Sequence, residues 1–167
     1  VNAAARRARP ALAVIACAAC LAVTACGAAR GASSAGGPGY RVQARSVAGL
    51  GRVLTDADGF TLYIYVPDHD GKSRCYGECA RQWPPLVLPR GVSRPTAGRG
   101  VRAALLGLTR RANGTRQVTY NGWPLYLYQG DHQPGQATGQ ADDMGLWYVL
   151  SVTGSVDHNP VPGQAGG

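Results

Sequence analysis

Gly59-Phe60-Thr61-Leu62-Tyr63-Ile64-Tyr65-Val66-Pro67-Asp68-His69 returns later in the chain as Gly122-Trp123-Pro124-Leu125-Tyr126-Leu127-Tyr128-Gln129-Gly130-Asp131-His132. The register is constant: Tyr126 lies 63 positions after Tyr63, and Asp131 lies 63 after Asp68. Identity at Gly, Leu, Tyr, Tyr, Asp and His in one frame marks an internal repeat, so the fold is read as two copies of one unit. In the first copy Phe60, Leu62, Ile64 and Val66 interleave with Thr61, Tyr63 and Tyr65. Alternate residues of a strand point to opposite faces. Both faces here are apolar or aromatic, the pattern of a strand covered on both sides. Tyr63 and Tyr65 share one face, and Tyr126 and Tyr128 do the same.

Turn chemistry brackets these strands. Asp56-Ala57-Asp58-Gly59 predicts a turn, which makes residues 50–66 a hairpin. Asn113-Gly114 and Asn121-Gly122 predict tight turns between strands at 103–109, 115–120 and 123–128. A last strand falls at about 146–152. Pro84, Pro85 and Pro89 argue against a central strand in their segment. No long stretch after residue 26 has helical periodicity. Trp83 and Trp147 follow Asp68 and Asp131 by 15 and 16 residues. The expectation is an all-β fold: a small antiparallel domain of two tandem β-hairpin or meander repeats. Repeat one covers about 50–89 and repeat two about 115–153, packed about a pseudo-two-fold axis with their aromatic faces buried together.

The flanks differ in kind from this core. Arg6, Arg7 and Arg9 precede an uncharged apolar run, residues 11–23, which ends in Val23-Thr24-Ala25-Cys26. A basic start, a short apolar stretch and small residues at a cleavage point are the parts of a secretory signal. Thirteen apolar residues fall short of the roughly 20 that span a bilayer. The end of the run resembles the lipobox of bacterial lipoproteins, which implies residues 1–25 as signal peptide and Cys26 as the acylated residue. Two acyl chains at about 0.8 kcal/mol per buried methylene suffice for a stable anchor. Residues 27–39 are rich in Gly, Ala and Ser, a flexible tether. Residues 157–167 are again Pro/Gly-rich and read as a disordered tail, leaving 40–156 as the folded part. The expected location is therefore extracytoplasmic, lipid-anchored to the cell membrane. From Cys26 onward 14 basic residues face 9 acidic ones. That modest excess favours loose association with anionic envelope surfaces. No basic helix or nucleic-acid motif is present, which argues against nucleic-acid binding.

Tyr63-x-Tyr65-x-x-Asp68 and Tyr126-x-Tyr128-x-x-Asp131, behind a lipobox, resemble the bacterial secreted-repeat lipoproteins with a Tyr-x4-Asp motif. Cys75-x3-Cys79 with Trp83-Pro84-Pro85-Leu86, and Gly145-Leu146-Trp147-Tyr148, resemble further segments of that family. The resemblance covers about residues 50–153 and the anchor. It implies tandem repeats of unknown function.

Each candidate site has a structural and a chemical reading. Pro67 and Gly130 end the strands, so Asp68 and Asp131 sit at turn starts. There they accept backbone N–H groups in Asx-turns or take a tyrosine hydroxyl from either repeat. If Tyr63 is such a buried donor, losing its hydroxyl costs about 1 kcal/mol. The other reading is a paired aromatic and carboxylate surface for a ligand. With Cys17 and Cys20 in the signal and Cys26 acylated, Cys75 and Cys79 remain. Outside the cytoplasm such a pair oxidises, and the disulfide stabilises by about 2 kcal/mol. The competing reading is copper: two thiolates with Met144 and His69, His132 or His158 suit Cu(I). Asp56-x-Asp58-Gly59 and Asp68-x-Asp70-Gly71 resemble fragments of calcium loops without the closing glutamate. No serine elbow, zinc-protease or phosphate-loop signature occurs. The reading is a non-enzymatic binding or interaction module of the cell envelope, needing no cofactor, with a cell-wall component or envelope protein as partner. The alternative is an envelope copper-binding or electron-transfer protein using Cys75, Cys79 and a histidine.

Overall fold

The computed structural model describes residues 40–161. The signal segment, Cys26, the tether to residue 39 and residues 162–167 lie outside the described residues. Three small three-stranded sheets make up the domain. The first joins β1 (Arg41–Val47), β2 (Gly51–Thr55) and β4 (Thr96–Ala97) in the order β2-β1-β4. The second joins β3 (Tyr63–Tyr65), β8 (Trp147–Leu150) and β9 (Val156–Asp157) as β3-β8-β9. The third joins β5 (Leu106–Arg110), β6 (Arg116–Tyr120) and β7 (Trp123–Pro124) in chain order. Pairing is antiparallel except between β1 and β4.

The repeat motif forms the wall between two cores. Tyr63 and Tyr126, equivalent residues of the two copies, face each other in an antiparallel bridge. Each amide donates to the other's carbonyl, at 2.8 and 2.9 Å. The alternation of apolar and aromatic residues then sorts side chains to opposite sides. Leu62, Ile64 and Leu125 enter one cluster with Val42, Leu54 and Val118. Tyr63 and Tyr126 enter the other with Trp83 and Trp147. A strand buried on both faces needs this pattern, because neither face has water to solvate a polar side chain.

The domain is not strictly all-β. A five-residue helix, α1 (Glu78–Gln82), and a single turn, α2 (Asp142–Gly145), interrupt it. Both are shorter than the window in which helical periodicity can be seen, roughly 11 residues. Cys75–Cys79 forms a disulfide around the start of α1. Ala141, Asp143, Met144 and Gly145 all have positive φ, so α2 is largely left-handed. The expected hairpin at 50–66 is divided. Thr55 bridges to Thr61 and Leu62 N–H donates to Leu54 O, but β3 leaves for another sheet. The proline segment contributes only isolated bridges, Pro85 to Tyr126 and Val87 to Gln117. β1 carries no clean alternation, with Arg41, Gln43, Arg45 and Ser46 around Val42 and Val47. Order also runs past residue 156. β9 pairs with β8, and the Gln140 amide donates to the carbonyls of Asp157 and Asn159.

The second core is packed to contact. A methyl group at Gly139 would lie 2.5 Å from the Trp83 ring, although this glycine has no positive φ to require it. Overpacking of this kind costs typically 1–3 kcal/mol. Gly139→Ala should therefore lower the unfolding free energy measured in urea by that amount, whereas Gly114→Ala, with open space around it, should not clash. Equal packing penalties at the two sites, once the backbone term at Gly114 is allowed for, would contradict the packing described.

Candidate functional site

The motif residues converge on a reciprocal pair of hydrogen bonds. Tyr63 donates its hydroxyl to Asp131 Oδ2 at 2.7 Å, and Tyr126 donates to Asp68 Oδ2 at 2.5 Å. Each tyrosine is thus pinned by the aspartate of the other repeat. The second oxygen of each carboxylate closes a loop of its own repeat. Asp68 Oδ1 accepts from Arg74 N–H, and Asp131 Oδ1 accepts from Thr138 N–H and its hydroxyl. Asp68 is fully buried and Asp131 nearly so. Burial pushes the Asp68 carboxyl above its ordinary value, against the Tyr126 and Arg74 hydrogen bonds, which favour the charged form. Burial, and the negative charge of the partner carboxylate, push both tyrosine hydroxyls upward, so they stay protonated donors.

Aromatic rings repeat the same exchange. Trp83 and Trp147 stack at 3.9 Å with an interplanar angle of 3°. Tyr128 stacks on Trp83 at 4.1 Å, and Tyr65 on Trp147 at 4.4 Å. Tyr63 meets Trp83 edge-on at 5.3 Å, and Tyr126 meets Trp147 edge-on at 5.2 Å. A column of four rings runs Tyr128, Trp83, Trp147, Tyr65, with one pinned tyrosine against each tryptophan. Stacked and edge-on contacts each add about 0.5–1.5 kcal/mol beyond area burial.

Arg111 is the residue that sequence reading missed. It is buried at 3% exposure and donates to Ser73 Oγ, Gln117 Oε1 and the Cys75 carbonyl at 2.5, 2.7 and 2.6 Å. Ser73 Oγ lies 2.7 Å from the Tyr126 hydroxyl. Since Tyr126 donates to Asp68, Ser73 has to be the donor between them. The chain therefore runs Arg111 to Ser73 to Tyr126 to Asp68, each hydroxyl accepting once and donating once. The guanidinium also sits 4.5 Å from the Tyr76 ring centroid. Arg110-Arg111 before a turn looks like solvated charge, and only the three-dimensional contacts single out Arg111.

The remaining candidates do not come together. Cys75 and Cys79 are joined to each other, and Cys75 is fully buried. His69 and His132 are exposed, and Met144 is 97% exposed. Among the described residues no group of three or more His, Cys, Asp or Glu side chains is placed to hold a metal ion. His158 packs against Tyr148. Asp56 uses one oxygen to accept three backbone N–H groups, from Asp58, Gly59 and Phe60, which accounts for it as a turn closure. Asp70 is engaged by Arg74 in an exposed ion pair that holds its carboxyl below the ordinary range.

A family model described as a secreted repeat of unknown function matches residues 46–87 and 107–151, together just over half of the chain. The chain belongs to this family of secreted tandem repeats. The two matched stretches each contain one Tyr-x-Tyr-x-x-Asp motif, and the family description carries an exported location with it. No curated protein and no solved structure matches the chain.

Two outcomes follow from the Tyr–Asp bonds. Because the acceptor is a buried carboxylate, Tyr63→Phe should cost about 1.5–3 kcal/mol, more than a neutral pair would. Urea unfolding measures this, and a loss below half a kcal/mol would place the hydroxyl outside the network. Asp68 is raised above 3.8 in the folded state, so the folded chain binds its proton more readily than the unfolded one. Wild type therefore gains stability relative to Asp68→Asn as pH falls from that raised value to about 3.8, and loses the gain on return to neutrality. A stability difference independent of pH over that window would contradict the burial effect.

Proposed function

We propose that this chain is a non-enzymatic interaction module of the cell envelope, tethered to the membrane through acylated Cys26. One observation carries the reading. The groups that would do chemistry are spent on one another: Tyr63 with Asp131, Tyr126 with Asp68, and Cys75 with Cys79. A motif used up in this way builds a rigid body, and the body's outer surface is left to act. In this reading the two copies are related by a pseudo-two-fold axis between Tyr63 and Tyr126, because equivalent residues oppose each other there. The basic start, short apolar run and Val23-Thr24-Ala25-Cys26 supply the anchor. Copper or electron transfer through Cys75 and Cys79 would first require opening a disulfide whose Cys75 is buried.

Cys26→Ala should release an intact, folded chain from the membrane fraction. A variant that stays membrane-bound would remove the anchor from the reading. Crosslinking of the wild-type chain in cells before lysis should yield a discrete heavier species. Recovery of the bare chain alone would remove the interaction role.

A further inference from the structure

Charge is unevenly distributed along the chain. Between Glu78 and Asp131 there is no acidic residue, yet eight arginines fall there. Arg111 is buried and Arg81 pairs with Glu78. Arg116 turns back onto the carbonyls of Val92 and Ser93. That leaves Arg90, Arg94, Arg99, Arg102 and Arg110 exposed, with no ion pair among the described residues. A groove of about 430 Å³ opens in this same stretch. Arg94, Pro95, Ala97, Ala103, Leu106 and Leu108 line it. The groove is thus apolar, with Arg94 in its wall and Arg102 and Arg110 at the ends of the segment that carries Ala103 to Leu108.

The wall formed by β5 is a free sheet edge. β5 pairs with β6 alone, in the order β5-β6-β7. Arg111 N–H donates to Thr115 O beyond one end of the ladder, and Asn121 N–H donates to Leu105 O beyond the other. Antiparallel pairs alternate between bonded and non-bonded positions. The register Leu108↔Val118 and Arg110↔Arg116 therefore falls on the non-bonded positions, and the backbone groups of Leu108 and Arg110 point away from β6. Leu108 is also one of the few exposed large hydrophobic side chains among the described residues, at 37%. A bare edge beside an apolar groove is a template for an added strand, and proteins ordinarily cover or blunt such edges.

We propose that the groove along β5 receives an extended acidic peptide segment of an envelope protein, added to the sheet as a further strand. This rests on the interaction-module reading above and names its surface and its partner's chemistry. Strand addition accounts for all three features together. Main-chain groups of the peptide would bond Leu108 and Arg110, and the side chains on its groove face would be apolar opposite Leu106 and Leu108 and acidic beside Arg94 and Arg110, which lie on that same face. An anionic polymer would use the arginines and leave the edge and the apolar wall unexplained. A membrane surface would leave the edge unexplained.

The test uses the full chain in neutral detergent. The probe is a labelled short peptide with valine and glutamate together on the alternate positions that form one strand face and serine on the other face, followed by fluorescence anisotropy. Saturable binding is expected, with none for the lysine–valine counterpart. Arg94→Glu, on an exposed residue outside the cores, should weaken binding about tenfold, as loss and reversal of an interfacial charge does. Amide hydrogen exchange should slow at Leu108 and Arg110 when the glutamate–valine peptide is added. Absence of binding, or binding without protection at those two amides, overturns the proposal. So does competition by polyphosphate or phosphatidylglycerol micelles as effective as that by unlabelled peptide, which would assign the surface to anions at large. A failed peptide with a crosslinked species still formed in cells would overturn the groove alone. Failure of both would overturn the interaction-module reading as well.

Discussion

The exchange of tyrosine hydroxyls between the repeats is the constraint on which the domain depends. A carboxylate buried between apolar cores is costly unless its oxygens are satisfied. Asp68 and Asp131 solve this with one oxygen bonded within their own repeat and the other bonded to the tyrosine of the other repeat. The local bond closes a loop, and the distant bond fixes the two loops against each other. Because Tyr63 and Tyr126 also exchange backbone bonds, the side chains cannot slide independently of the strands that carry them. The column of Tyr128, Trp83, Trp147 and Tyr65 then fills the space that this geometry defines.

The two halves are alike in this frame and different around it. Repeat one places a disulfide and α1 between its aspartate and its tryptophan, and repeat two places the left-handed turn of α2 there. Repeat one also recruits Arg111, from the turn after β5 in the second matched stretch, through Ser73. A buried guanidinium without a direct carboxylate partner is held by carbonyl and hydroxyl acceptors at its two terminal nitrogens, its buried Nε alone left without a hydrogen bond, and Asp68 lies at the end of the chain. The two copies thus share a reciprocally bonded frame, and each has its own means of bracing it.

The frame was legible in the sequence because it is periodic. Alternation over Phe60–Val66 and its echo at 123–128 identified strands covered on both faces, and both faces do carry cores. The option that each aspartate takes a hydroxyl from the other repeat was visible from the strand ends. What stayed hidden has no period. β4 and β9 are two residues long, and β1 mixes arginine and glutamine with its valines. α1 and α2 are single turns set by a disulfide and by positive φ. Arg111 is distinguished from Arg110 only by which side of β5 the chain turns toward, a tertiary fact. Family membership added the repeat boundaries and the exported location, and left the activity open.

The reciprocal bonding has a temporal side. A chain emerges N-terminus first, whether from a ribosome or through a membrane, and repeat one arrives with Tyr63 lacking its acceptor. Asp131 and Thr138 follow some 70 residues later, and Trp147, on which Tyr65 and Trp83 stack, comes later still. Contacts of such long sequence separation must await loop closure before they contribute. The first repeat therefore passes through its early life as an apolar strand whose carboxylate has only its own loop to bond, and the second repeat's arrival makes both permanent.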